Sequence, residues 1–291
     1  MLFQRDINRV RKRLVERPSQ VFHSNQFGDI EYRVVGQGPP VLVSHGITGG
    51  VDQAEDLVTR WHNFTPAYRF IFVSRFGYLR SSMPKGATPR AQAEAYAALL
   101  NHVGIDRVTV AGNSAGGAAA MWFAVDFPER TQGLILISSA VPGPVPEPIP
   151  KLVTKHDFLY WAAIKIVPGK LLGLLFPPSV HLTKKQRTFI VDNAFMAGMP
   201  ISRRTAGIQF DSKQSNPEVN RVPYEQIRVP TLVFQASDDA REFAGGQEIA
   251  RRIPDSQLVT MTGGHVLIGH DQQIRDEIDR FVEQAGSVHR R

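Results

Sequence analysis

Gly112, Ser114 and Gly116 form a G-x-S-x-G pattern at the point where a short apolar run gives way to an alanine-rich one. Residues 108–111 are apolar, rich in β-branched side chains and bounded by charge, which predicts a buried strand. Ala118, Ala119, Ala120, Met121 and Trp122 follow, a helical stretch that Phe127-Pro128 ends. Strand, G-x-S-x-G, helix is the context of a nucleophile elbow, in which a strained turn projects a serine oxygen from the end of a sheet. Side chains two residues before and after such a serine would collide, so glycine is wanted at both places. The helix that follows aims its N-terminal amides at the reacting centre, where the Ala115 N–H can help hold an oxyanion. At average glycine and serine usage the pattern arises by chance about 0.1 times in a chain of this length.

Two more polar positions fall at the ends of apolar runs. Residues 41–43 form a strand that enters His45-Gly46-Ile47 in a glycine-rich loop. An oxyanion hole needs two converging N–H donors, and the loop after an early strand supplies the usual partner, here the Ile47 N–H. A late strand, residues 231–234, runs into Asp238 and Asp239. The last, residues 257–261, runs into His265 in a glycine-rich turn. Serine, acid and histidine thus succeed one another along the chain.

The elements that must position these groups alternate. An antiparallel hairpin is expected around Phe27-Gly28-Asp29, then strands at 41–43, 70–73, 108–111, 134–137, 231–234 and 257–261, with helices at 89–103, after the elbow and at the C-terminus. That alternation predicts an α/β fold with a mostly parallel central sheet and helices on both faces, its ligands at the carboxyl ends of the strands. Ser138 and Ser139 lie at such an end without an elbow and are read as structural. Five prolines between 141 and 150 break the pattern, and residues 151–210 read as helices only. We divide the chain into an N-terminal basic amphipathic helix (1–19), a first core part (20–140), a helical cap or lid (141–222) and a second core part (223–291). The cap carries more apolar side chains than one small bundle needs. Phe158 and Trp161 among them are expected to line a pocket together with His45 and Gly46.

Charge and composition narrow the function class. The chain has 291 residues, 42% hydrophobic and 21% charged, ordinary for a soluble globular protein, and no cysteine, which excludes disulfides and thiolate chemistry. Of the net charge of +7, residues 1–17 hold +4, residues 141–222 hold +6 and the remainder −3. No aromatic-basic interleaving or recognition motif accompanies the basic segments, so nucleic acid is not expected as a partner. Residues 3–15 place Phe3, Ile7, Val10 and Leu14 on one helix face. That face suits packing on the domain; peripheral contact with an anionic membrane surface or a homodimer contact is the sharper alternative. With no apolar leader near the N-terminus and no long apolar run, a cytoplasmic location is expected. No Walker A, no G-x-G-x-x-G after a strand and no metal-ligand cluster occurs, so no cofactor and no metal is expected.

The segments SHGITGG, GNSAGG, PTLVFQASDD and GGHVLIGH together resemble the α/β-hydrolase fold superfamily, in its serine-nucleophile esterase/lipase-like branch with a helical cap. The resemblance covers roughly residues 20–286. It implies Ser114 as nucleophile, His265 as general base and then acid, and Asp239 as the acid that orients His265, because members commonly read G-x-x-D there and Ala236 takes the glycine's place. It implies Ile47 and Ala115 as oxyanion-hole donors. His270 matches a second histidine often seen after the catalytic one and is read as structural or pocket-lining. The implied activity is a carboxylesterase-like hydrolysis of small to medium apolar esters through an acyl-enzyme. The alternatives are a C–C bond hydrolase or lactonase using the same triad, with Arg203 or Arg204 clamping a substrate carboxylate, and a low-turnover small-molecule receptor.

Overall fold

The structure is a computed structural model that describes residues 1–62, 64–143 and 150–288; most of the proline-rich stretch 141–150 lies outside the described residues. In chain order the first elements are α1 (Leu2–Glu16), β1 (Gln20–Ser24), β2 (Gly28–Val35), β3 (Pro40–Ser44), α2 (Val51–Asp56) and β4 (Arg69–Val73). They are followed by α3 (Pro89–His102), β5 (Val108–Asn113), α4 (Gly117–Asp126) and β6 (Thr131–Ile137). Six short helices come next: α5 (Lys151–Lys155), α6 (Asp157–Ile166), α7 (Pro168–Leu172), α8 (Lys184–Ile190), α9 (Thr205–Phe210) and α10 (Asn216–Glu218). The chain closes with β7 (Thr231–Ala236), α11 (Ala240–Arg252), β8 (Ser256–Met261) and α12 (Asp271–Val288).

The eight strands form one sheet in the order β1-β2-β4-β3-β5-β6-β7-β8. The β1–β2 hairpin and the β2–β4 pair are antiparallel, and every other pair is parallel. Strands with both faces covered must be apolar on both sides, which is why β3, β5, β6 and β7 read as unbroken runs. Their side chains divide between two cores. Leu42, Val110, Leu134, Leu136 and Val233 pack toward α3 and α4, whereas Val41, Val43, Ala111, Ile135 and Leu232 pack toward α2 and α12. Thr88 caps α3 by accepting the Ala91 N–H, with Pro89 in the first turn.

The body of helix α11 (Ala240–Arg252) is masked in the sequence, because Gly245-Gly246 sits at its centre and glycine costs about 1 kcal/mol in a helix interior. Packing explains both residues: a Cβ on Gly245 would lie 2.3 Å from Val141, and one on Gly246 2.7 Å from Gln235. The helices expected over 151–167 and 183–198 are present but broken, the first at His156, the second into a wider turn at Val191–Phe195.

Helix α1 lies against α2 and α6. Ile7 and Val10 are buried, and Phe3 packs edge-on against Phe158 and Trp161. Its buried Asp6 accepts from Trp161 Nε1 at 3.1 Å and pairs with Lys165 at 3.2 Å. Arg13 reaches Asp52 and Asp56, and Arg17 reaches Asp56. Much of the basic face therefore meets acids of the domain itself. No helix among the described residues is long and apolar enough to cross a membrane.

Candidate active site

Four loops meet at the carboxyl ends of β3, β5, β7 and β8. The elbow is built by close approach. A Cβ on Gly116 would stand 2.2 Å from the Ser44 carbonyl oxygen, and one on Gly112 2.7 Å from Ala120, so α4 can lie hard against β5 and β3 only with glycine at both. Ser114 itself has φ 49°, the left-handed region that a non-glycine residue occupies only under constraint. Its carbonyl accepts from Ala140 N–H at 3.0 Å and from Gly117 N–H. Carbonyl and amide of one trans peptide point in opposite directions, so the Ala115 N–H is turned away from both donors.

His265 stands 3.0 Å from Ser114 Oγ through Nε2, and its own N–H is held by the Leu175 carbonyl at 2.8 Å. Asp238 fixes the turn before it by accepting from Gly263 N–H at 2.7 Å and Gly264 N–H at 3.1 Å. The Nδ1 of His265 faces the Glu242 carboxylate in a hydrogen bond. Burial pulls the His265 imidazole down, but the Glu242 charge and hydrogen bond, with a smaller push from Asp239, hold it above its ordinary value.

Asp239, expected against His265, is elsewhere: it is the N-cap of α11, accepting from the N–H groups of Arg241 at 3.0 Å and Glu242 at 2.9 Å. The acid facing the imidazole stands one helical turn later. The spacing Asp239-x-x-Glu242 is a capping-box pattern, the one signal in the sequence for a helix start and for an acid at its third position. Here that acid turns to His265.

His45 does not face a substrate either. It is 1% exposed; its Nε2 accepts the Arg75 backbone N–H at 3.0 Å and its Nδ1 donates to the Gly46 carbonyl at 2.7 Å. Burial, then the Arg75 charge, push its pKa well below the ordinary imidazole value, which keeps Nε2 free of a proton and able to accept. Gly46 does lie at the elbow, since a Cβ there would meet Ser114 Cβ at 3.2 Å. Ile47, half-buried, packs with the apolar cluster of Tyr160, Ile164, Met196 and Ile201.

Phe158 and Trp161 are placed against α1 rather than over Ser114. Trp161→Ala is expected to lower stability by about 2 kcal/mol through lost packing on Phe3, with KM and kcat within twofold of wild type. Thermal melts beside activity measurements check this. Arg204 is fully buried on Asp52, at 2.9 Å, and also donates to the Gly49 carbonyl, whereas Arg203 is exposed. His270 Nε2 lies 3.3 Å from Thr262 Oγ1. Ser138 is wholly buried at φ 41°, and Ser139 bonds a neighbouring carbonyl. Among the described residues no cluster of three metal-ligating side chains occurs.

The alpha/beta hydrolase fold family model matches residues 39–164. Over 201 residues the chain is 29% identical to an uncharacterized hydrolase of Bacillus subtilis, YcgS, covering 69% of this chain and spanning 60% of that relative's length. It is 30% identical over 239 residues to a 2-hydroxy-6-oxononadienedioate/2-hydroxy-6-oxononatrienedioate hydrolase of Burkholderia vietnamiensis, covering 75% of this chain and 82% of the relative. Its fold is similar to that of an alpha/beta hydrolase fold protein from Nakamurella multipartita, with a TM-score of 0.71 at 24% identity, over 92% of this chain and 100% of that one. With the eight-stranded sheet, the elbow and these relatives in agreement, the chain belongs to the α/β-hydrolase fold superfamily.

Proposed function

We propose that the chain is a serine hydrolase that cleaves carboxylic esters of small to medium apolar substrates through an acyl-enzyme on Ser114. The observation that carries the reading is the line from Ser114 Oγ through His265 to Glu242, built on a strained elbow at a strand end. His265 Nε2 takes the Ser114 proton as Oγ attacks the ester carbonyl carbon, and the carbonyl oxygen becomes an oxyanion held by the Ile47 and Ala115 N–H groups. The same proton passes to the departing alcohol. Water, deprotonated by His265, then releases the acid and returns Ser114. Glu242 holds the imidazole in the tautomer with the proton on Nδ1 and stabilises the imidazolium between the two transfers.

The helices between β6 and β7 serve as a cap in this reading. Leu172, Leu175 and Phe176 pack with Val266, the residue after His265, and this cluster shares Val191 and Phe195 with the one that holds Ile47, so apolar surface is continuous between the two loops. A dry, apolar flank suits an alkyl or aryl ester.

The Burkholderia vietnamiensis relative favours a second reading, C–C bond hydrolysis. Its named substrates are dicarboxylates, which call for cations. Of the two candidate clamps, Arg204 is committed to buried Asp52, as Arg75 is to Asp211, which supports the ester reading; Arg203 is exposed. Turnover of p-nitrophenyl esters from acetate to octanoate, compared with a vinylogous 1,5-diketone acid, tests this. Ester turnover at least a hundredfold above diketone cleavage is expected, and the reverse ratio would replace esters with C–C substrates.

A further inference from the structure

We propose that Arg75 and Asp211 are positioning residues that fix the Ile47 N–H donor of the oxyanion hole, so that the site is complete only when the helical segment between β6 and β7 is docked. The inference rests on the serine-hydrolase reading above and adds to it a side-chain device that sets one of the two oxyanion donors.

The peptide unit joining Gly46 to Ile47 carries the Gly46 carbonyl on one edge and the Ile47 N–H on the other, pointing oppositely. Three donors converge on the carbonyl: His45 Nδ1 at 2.7 Å, Gly49 N–H at 3.2 Å and Arg75 Nη2 at 3.3 Å. Arg75 Nε holds the preceding His45 carbonyl at 2.8 Å. With both carbonyls turned toward the guanidinium, the Ile47 N–H is turned the other way, away from Arg75. The loop needs such restraint, because Thr48 beside it has φ 62° and is not glycine. The elbow's own donor, Ala115, follows a Ser114 carbonyl that two backbone N–H groups hold. The loop donor depends on side chains.

Those side chains belong to two layers. Arg75 follows β4 and is 1% exposed, so its charge requires a partner. Asp211, from just beyond α9, meets it in a fork at 2.6 and 2.5 Å. The Tyr78 hydroxyl donates to the same carboxylate, and the Thr48 backbone bonds that phenol in turn. Burial, then Asp211, raise the Tyr78 pKa far above its ordinary value, so the hydroxyl stays a donor. A crossed pair holds the other end of the loop: Arg204 of the helical segment bonds Gly49 and pairs with Asp52 of α2. Each layer therefore contributes one arginine and one aspartate, and the loop carrying Ile47 lies between them.

Displacing a donor without deleting it is expected to cost about a hundredfold in kcat, the lower end of what removal of an oxyanion-hole donor costs. The test uses Asp211→Asn, Arg75→Lys and Tyr78→Phe. It reads p-nitrophenyl butyrate turnover and inhibition by an alkyl trifluoromethyl ketone, whose adduct on Ser114 carries an oxyanion. The expected result is a fall in kcat of about a hundredfold for Asp211→Asn and about tenfold for Tyr78→Phe, with KM within threefold. The Ki of the ketone rises in the same proportion as kcat falls. Arg75→Lys keeps the charge but loses the fork, and behaves like Asp211→Asn. Folded variants that melt earlier but keep kcat and ketone Ki within threefold of wild type would overturn the proposal. Should Asp211→Asn not fold, Tyr78→Phe and Arg75→Lys decide it on the same two readouts. Full turnover by Ser114→Ala would instead remove the serine-hydrolase reading itself, an outcome separate from either of these.

Discussion

Replacing Ser114 with alanine is expected to lower ester kcat/KM by about four to six orders of magnitude while leaving the fold intact. The size follows from the geometry, since Ser114 Oγ is the atom that His265 Nε2 meets at 3.0 Å. Removing any one member of such a unit forfeits most of what the unit does together, and only about 10³–10⁴ over water survives from oxyanion stabilisation and binding. Folding does not need the oxygen. The approach of α4 to β5 and β3 depends on Gly112 and Gly116, and alanine at φ 49° is no worse than serine. Steady-state kinetics with circular dichroism checks both halves; a folded variant that retains more than a tenth of the rate contradicts the assignment.

The second large effect separates two acids three residues apart. Glu242→Gln is expected to lower kcat by about 10³–10⁴, the cost of losing the charge and tautomer control behind a catalytic histidine. Asp239→Ala is expected to cost about 1 kcal/mol of stability as a lost helix cap and less than tenfold in kcat. The pH profile distinguishes them further. In the proposed mechanism His265 must be neutral to accept the serine proton, so kcat/KM is expected to rise as pH passes upward through its folded pKa, which Glu242 raises above the ordinary value. With glutamine at 242 that contribution is gone, and the acidic limb moves to lower pH beneath a reduced plateau. Asp239→Ala moves the limb in the same direction but less, because Asp239 contributes more weakly. Equal losses from the two variants, or a larger one from Asp239→Ala, would return the role to Asp239.

How much of this was legible in the sequence depends on whether a signal was local. Each strand of the parallel core is a short apolar run ended by a polar or glycine-rich turn, and the elbow and His265 sit in those turns; both were readable within a dozen residues. Glu242 was not, because its role depends on α11 starting at Asp239, and Gly245-Gly246 masks that helix although the Asp239-x-x-Glu242 spacing marks its start. His45 looked available for a substrate, since the Arg75 N–H that occupies its Nε2 comes from just beyond the next strand. The Arg75–Asp211 pair joins positions 136 residues apart, and periodicity carries no trace of it. Phe158 and Trp161 signalled surplus apolar surface, and the apolar face of α1 signalled a missing partner. Each is the other's partner, a match that only the packing reveals.

The most direct test of the central claim is labelling with a fluorophosphonate, read by intact mass and peptide mapping on wild type, Ser114→Ala and Glu242→Gln. The account predicts one adduct per chain on the wild type, mapped to Ser114, none on Ser114→Ala, and labelling slowed at least a hundredfold on Glu242→Gln. Folded wild type that takes no adduct, or an adduct that persists in Ser114→Ala, would contradict it.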